Sequence, residues 1–286
     1  MTGDDMQGPL GIVSGGGTLP FEVADAAIAR GRKVLLFPIK GAADPQRAKS
    51  YPHRWIGVTQ GRTLMRLMRK EGCRDVVLIG SLNRPSPWQI LLSLHDILSM
   101  LPTLMGALRR GDNHLLSVVA RFAERNGFHI IGAHEVAPEI LVKKGSLTAR
   151  QPSDIQRTSI DRGLALLNAI GSYDVGQGAV VINQNIVAVE GIEGTDAMLA
   201  RVRDLRRSGR VATMAGEGVL VKAPKPQQDR RFDLPAIGPK TVRGVAEAGL
   251  AGLAVVAGQT VIAEPEELLR EADRLKVFVV AVEAMA

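Results

Sequence analysis

Asp229 and Asp233 stand four residues apart in the stretch Lys222 to Gly238 (K-A-P-K-P-Q-Q-D-R-R-F-D-L-P-A-I-G), which also carries Lys222, Lys225, Arg230 and Arg231. Paired carboxylates beside fixed cations suit a divalent metal ion and an anionic phosphoryl group. Two close acids with no cation would push one pKa upward, and a metal ion relieves that repulsion. Pro224, Pro226 and Pro235 each fix φ, remove a backbone donor and bias the preceding residue toward extended forms. The stretch therefore reads as a shaped loop leaving the apolar run Val219 to Val221. In extended chain the side-chain period of two points both acids the same way. A surface loop braced by its own salt bridges is the competing reading.

Glu190, Glu193 and Asp196 form a second acid cluster, the reserve metal site. Thr195 or Asp196 capping a following helix explains part of it without a ligand, since acids favour a helix N-terminus. At the other end of the chain, Leu10 to Val13, Ser14 to Pro20 (S-G-G-G-T-L-P) and Phe21 to Arg30 read as strand, glycine loop and helix. That order can place backbone N–H groups around a phosphate; a tight turn with no ligand is the alternative. As a dinucleotide fingerprint it is weak. The third glycine is missing after Gly15 and Gly17, and the next strand ends in Lys40 and Gly41 rather than an acid for a ribose. None of the five histidines forms a zinc motif, and neither a nucleophile elbow nor a Walker loop occurs.

The elements that must position these residues alternate. Lys33 to Ile39, Trp55 to Val58 and Asp75 to Gly80 read as strands, and Gln60 to Lys70 as a helix with Leu64, Leu67 and Met68 on one face. The pattern predicts an α/β fold with a parallel sheet, its loops Gly15 to Thr18 and Ser81 to Arg84 gathered at the carboxyl edge. Trp88 to Leu108 is the most apolar window. It reads either as a kinked buried helix pair or as a Leu/Met-rich surface for an acyl chain or a membrane. Asp112 or Asn113 caps a helix reaching Arg125, and Phe128 to Gly132 is a strand. Periodicity then fades over Ala133 to Thr148, where a domain boundary is placed. Beyond it, Ser153 to Gln156 is a capping box opening a helix through Leu167. Gly178 to Asn183 and Asn185 to Glu190 form a hairpin, and Ala197 to Arg207 is a helix. Thr241 to Gly249 and Pro265 to Leu275 are helices; Leu253 to Val256, Gln259 to Ile262 and Lys276 to Ala281 are strands.

With 286 residues the chain can bury a core in each of two domains. A net charge of +7 favours anionic partners. Two Trp and two Tyr offer little stacking surface, so a compact phosphate fits better than a nucleic-acid lattice. Cys73 stands alone, excluding an internal disulfide and a cysteine-based zinc site. The polar, acidic start M-T-G-D-D does not resemble a signal peptide, which points to the cytoplasm.

Several stretches together resemble the LpxI-type UDP-2,3-diacylglucosamine pyrophosphatases of lipid A synthesis. They are Gly11 to Pro20, Gly111 to Leu116, Gly127 to Glu135, Gln177 to Val181, Val189 to Met198 and Lys225 to Gly238. The resemblance implies an N-terminal Rossmann-like domain over 6–136, a linker over 137–150 and a distinct C-terminal catalytic α/β domain over 151–286. It implies hydrolysis to UMP and 2,3-diacylglucosamine 1-phosphate with Mg²⁺ (or Mn²⁺). A homodimer on the inner face of the cytoplasmic membrane, without nucleic acid, is also implied. Within that frame Asp229, Asp233, Lys225, Arg230 and Arg231 are the catalytic candidates, with Asp229 and Asp233 on the metal. Gly15, Gly16, Gly17, Thr18, Gln177, Gly178, Thr195, Lys222 and Gln228 are the substrate-binding candidates. A non-catalytic nucleotide-sugar-binding regulator is the alternative.

Overall fold

The computed structural model describes residues 8–81, 120–211, 216–226, 228–231 and 233–284. Trp88 to Leu108, Asp112 and Asn113 lie outside them, so the expectations for that window and that cap have no structural counterpart. The chain forms two compact units, Met1–Pro138 with Asp229–Asp233, and Glu139–Gln228 with Leu234–Ala286.

The first unit carries a parallel sheet of β1 (Leu10–Ser14), β2 (Val34–Pro38), β3 (Asp75–Ile79) and β4 (His129–Ile130), in the order β2-β1-β3-β4. Strands β1 and β2 are buried throughout, as expected of parallel strands covered on both faces. Helix α1 (Leu19–Ala29) starts with Pro20 in its first turn and buries Phe21, Val23, Ala24 and Ala27. Helix α2 (Pro45–Ala48) is capped by Asp44, and α3 (Gly61–Lys70) buries Met65 and Met68. Residues 120–125 are helical, and α4 (Ala133–Val136) closes the unit. Trp55 to Val58 differs from expectation. Ile56 exchanges hydrogen bonds with Pro38 and Lys40, but only isolated bridges form, at His53 and Ile56. The Gly57 N–H turns away to the Gln60 side chain, which ends the pairing.

The second unit holds a mixed sheet, in the order β5-β12-β10-β8-β6-β7, of β5 (Gly145–Ser146), β6 (Gly178–Ile182), β7 (Asn185–Val189), β8 (Val219–Lys222), β10 (Gly252–Val256) and β12 (Phe278–Val282). The short strands β9 (Ala236–Ile237) and β11 (Val261–Ile262) pair apart from it. Alternation along the strands separates two apolar layers. Ala179, Val181, Val219 and Val221 pack with Ile160, Leu164 and Leu167 of α5 (Asp154–Ile170). Val180, Leu220, Leu253 and Val255 pack with α6 (Gly194–Arg207), α7 (Pro239–Glu247) and α8 (Pro265–Arg274). The expected capping box forms: Ser153 Oγ accepts from Gln156 N, and Gln156 Oε1 accepts from Ser153 N. So does the hairpin, whose turn residues Asn183 and Gln184 have φ of 47° and 65°, the left-handed pair that a two-residue hairpin favours.

Candidate functional site

In the second unit, register brings three candidates to one edge of the sheet. Gly178, at the start of β6, lies opposite Lys222, at the end of β8. β7 runs antiparallel to β6, so Glu190 follows its end at the same edge, and the Glu190 N–H donates to Gly178 O at 2.8 Å. A Cβ on Gly178 would lie 2.6 Å from Glu190 Oε2, and one on Gly176 would lie 2.0 Å from Glu190 O. Both glycines therefore make room for this acid and its backbone. Glu190 Oε1 accepts from Thr195 Oγ1 at 3.0 Å, and Lys222 Nζ donates to Thr195 Oγ1 at 3.0 Å. Lys222 was expected to meet phosphate, yet it is 7% exposed and its ammonium also donates to Ala236 O at 3.2 Å. Burial pushes its pKa down, and the charges of Glu190 and Asp196 oppose that. Gln177 continues the same edge, its carbonyl accepting from Ala223 N at 2.9 Å.

Ion pairs and hydrogen bonds hold the loop beyond Lys222. Lys225 pairs with Asp174, a residue in the left-handed region at φ 55°. Lys225 N donates to Gln228 Oε1 at 2.9 Å, and Gln228 N to Lys225 O at 3.1 Å. Asp229 to Asp233 was expected to be extended. Instead Asp233 N donates to Asp229 O at 3.1 Å, an i to i+4 turn. The turn closes over four residues where an extended strand was expected, so the period-two argument for the two acids does not apply here. Arg231 grips Asp229, with Nη2 to Oδ2 at 2.7 Å, Nε to Oδ1 at 3.0 Å and the backbone N to Oδ1 at 3.1 Å. The same guanidinium donates to Glu124 Oε1 at 2.5 Å. Hydrogen bonding from Arg231 holds the Asp229 carboxyl below the usual range, against a smaller opposing effect of burial. Arg230 is exposed. Burial keeps His134 below the ordinary imidazole range, with the charge of Glu135 opposing and that of Arg230 adding a smaller push the same way. Sequence reasoning missed Glu124 and Asp174, whose roles depend on residues more than fifty positions away and leave no local pattern.

In the first unit, Gly15 to Thr18 leaves β1 at the carboxyl edge, next to the chain leaving β3, where the strand order reverses. Such switch points are where open α/β sheets take ligands. Two of the glycines have another purpose. Gly15 N donates to Ile79 O and Gly16 N to Ser81 O, each at 2.8 Å, and a Cβ on Gly15 would lie 2.5 Å from Ser81 O. Their amides are thus committed to the neighbouring loop. Gly17, with φ 92° and open space around it, and Thr18, at the start of α1, remain to meet a ligand.

Among the described residues no group of three or more His, Cys, Asp or Glu is arranged to hold a metal. The reserve acids diverge: Glu190 goes to Thr195, Glu193 to Arg201 at 2.7 Å and Asp196 to Lys240 at 2.5 Å. Magnesium can be held by as few as one or two carboxylates acting with water and substrate phosphate, the number that Asp229 and Asp233 supply. Asp229 would have to share its oxygens with Arg231.

Residues 9–140 match the LpxI N-terminal domain and residues 143–280 the LpxI C-terminal domain. The chain is 40% identical over 274 residues to the UDP-2,3-diacylglucosamine pyrophosphatase LpxI of Caulobacter vibrioides, covering 96% of this chain and 97% of that protein. One solved structure, the biotin carboxylase domain of Hydrogenobacter thermophilus 2-oxoglutarate carboxylase, matches 80% of this chain and 45% of its own at 12% identity and a TM-score of 0.25, too remote to carry an argument. Since both family domains match in order and together span nearly the whole sequence, the chain belongs to the LpxI family.

Proposed function

We propose that this protein hydrolyses the pyrophosphate bond of UDP-2,3-diacylglucosamine, releasing UMP and 2,3-diacylglucosamine 1-phosphate. The observation that carries this reading is the 40% identity, sustained over both domains, to a pyrophosphatase of that name. Asp229 and Asp233 would hold Mg²⁺ or Mn²⁺, which when bound supplies charge neutralisation at the phosphoryl oxygens. Asp233 accepts a hydrogen bond from the attacking water. Arg230 and Lys225 meet negative charge on the phosphates. Arg231 acts indirectly: its fork on Asp229 and its bond to Glu124 fix where the acidic turn stands. Gly17 and Thr18 contact phosphate or sugar at the start of α1. A homodimer with peripheral membrane contact completes the reading.

The test is UMP release from UDP-2,3-diacylglucosamine, followed by mass spectrometry. Turnover should vanish with chelator and return on adding Mg²⁺ or Mn²⁺. Asp229→Ala combined with Asp233→Ala, shown to be folded by circular dichroism, should fall by a factor of about 10³ or more. Full Mg²⁺-dependent turnover in that variant would sink the residue assignment. Tight substrate binding by the wild type without any UMP release would identify a regulator instead.

A further inference from the structure

We infer that Lys222 is a positioning residue for the catalytic loop, a buried clasp joining the loop's two ends, and not a phosphate ligand. The inference rests on the pyrophosphatase reading for its kinetic consequences, but its structural basis is separate. Lys222 ends β8 between two paired neighbours, with Gly178 of β6 on one side and Val255 of β10 on the other. Its backbone is therefore held in the middle of the sheet. Its ammonium reaches Ala236 O, fourteen positions later, where β9 begins. All five catalytic candidates, Lys225, Asp229, Arg230, Arg231 and Asp233, lie on the chain between these two points. One side chain thus closes the loop that carries them, which reduces the conformations open to it.

The third anchor is Thr195 at the start of α6. Its hydroxyl accepts from Lys222 Nζ and donates to Glu190 Oε1, so the clasp is tied to the chain leaving β7 as well. A lysine ammonium is costly to bury without partners. The room that Gly178 leaves for the Glu190 carboxylate supplies a compensating charge, relayed through a hydroxyl. At 7% exposure the ammonium is directed inward to these partners. A phosphate ligand would be expected to present its charge to solvent or a cleft.

Lys222→Met keeps the length and apolar stem of the side chain and removes its donors. Amide hydrogen exchange over residues 223–236 should quicken in this variant, with exchange in β10 and β12 unchanged. kcat should fall by about 100-fold, the scale of a small misplacement of reacting groups, while KM and the Kd for UMP stay within about twofold. Thr195→Val should reproduce the loop exchange more weakly, and Thr195→Ser, which keeps the hydroxyl, should restore wild-type behaviour. The double variant should show less than the sum of the single effects, since both break one relay. If Lys222→Met fails to fold, the Thr195→Val and Thr195→Ser pair carries the test. Unchanged loop exchange with UMP or substrate binding weakened tenfold or more (about 1.4 kcal/mol or more) would overturn the inference and make Lys222 a direct ligand. The exchange measurement needs no turnover, so a protein lacking pyrophosphatase activity would refute the proposed function while leaving the clasp to be judged on loop exchange.

Discussion

Asp229 gives both carboxylate oxygens to the guanidinium of Arg231, and that guanidinium is also bonded to Glu124. A bidentate Arg–carboxylate pair is stronger and more directional than a lysine pair, because the planar fork matches the two oxygens. The arrangement predicts how stability responds to pH. The Asp229 pKa is depressed in the folded state by Arg231. Its stabilising contribution is therefore present above the unfolded value of about 3.9 and is lost as pH falls through the lower folded value. Arg231→Met should lower the melting temperature near neutral pH, by a modest amount because the pair is partly solvated. The gap between wild type and variant should narrow as the solution is acidified below about pH 4. Thermal melts across that range test it, and a gap that stays constant into strong acid would rule out the pair as its source. The same Arg–Asp contact has a functional side. An acid already held by an arginine fork is a weaker metal donor, so any cation at Asp229 would have to compete with Arg231.

At the scale of elements, the glycine loop separates two duties that look alike in S-G-G-G-T. Gly15 is wedged against the backbone of Gly80 and Ser81, whereas Gly17 has nothing within 4 Å and needs only its positive φ of 92°. Gly15→Ala must force two backbones apart and should cost about 1–3 kcal/mol in urea unfolding. Gly17→Ala should cost about 1–2 kcal/mol from left-handed strain alone, with the β1–β3 hydrogen bonds retained. Equal losses of those hydrogen bonds in both variants, read by amide exchange, would contradict the distinction. What the sequence made legible was local: the capping box at Ser153 and Gln156, and the hairpin of Gly178 to Glu190, though with its turn placed one residue too late. These rest on residues a few positions apart. The Lys222–Thr195–Glu190 relay and the Arg231–Glu124 bond depend on partners up to 107 positions away, and no local pattern encodes them. Trp55 to Val58 shows the reverse error: an apolar run with strand propensity whose pairing stops where Gly57 bonds to Gln60.

At the scale of the whole molecule, a net charge of +7 has to be reconciled with the proposed substrate, which carries two acyl chains. Such a substrate resides in a bilayer, and among the described residues no helix is long and apolar enough to enter one by spanning it. Cations such as Arg207, Arg210 and Arg230 lie on exposed positions. A basic surface attracts the protein to anionic headgroups, with an energy that depends on distance within a Debye length and so on salt. The protein should co-sediment with vesicles containing phosphatidylglycerol at about 50 mM NaCl and be released near 500 mM, where the screening length falls to about 4 Å. Vesicles of phosphatidylcholine alone should retain little of it at either concentration. KM for bilayer-presented substrate should rise over the same salt range, while kcat holds, because screening affects encounter and not the bound geometry. Equal binding to both vesicle types at high salt would instead point to apolar insertion and remove electrostatic attraction as the means of reaching the substrate.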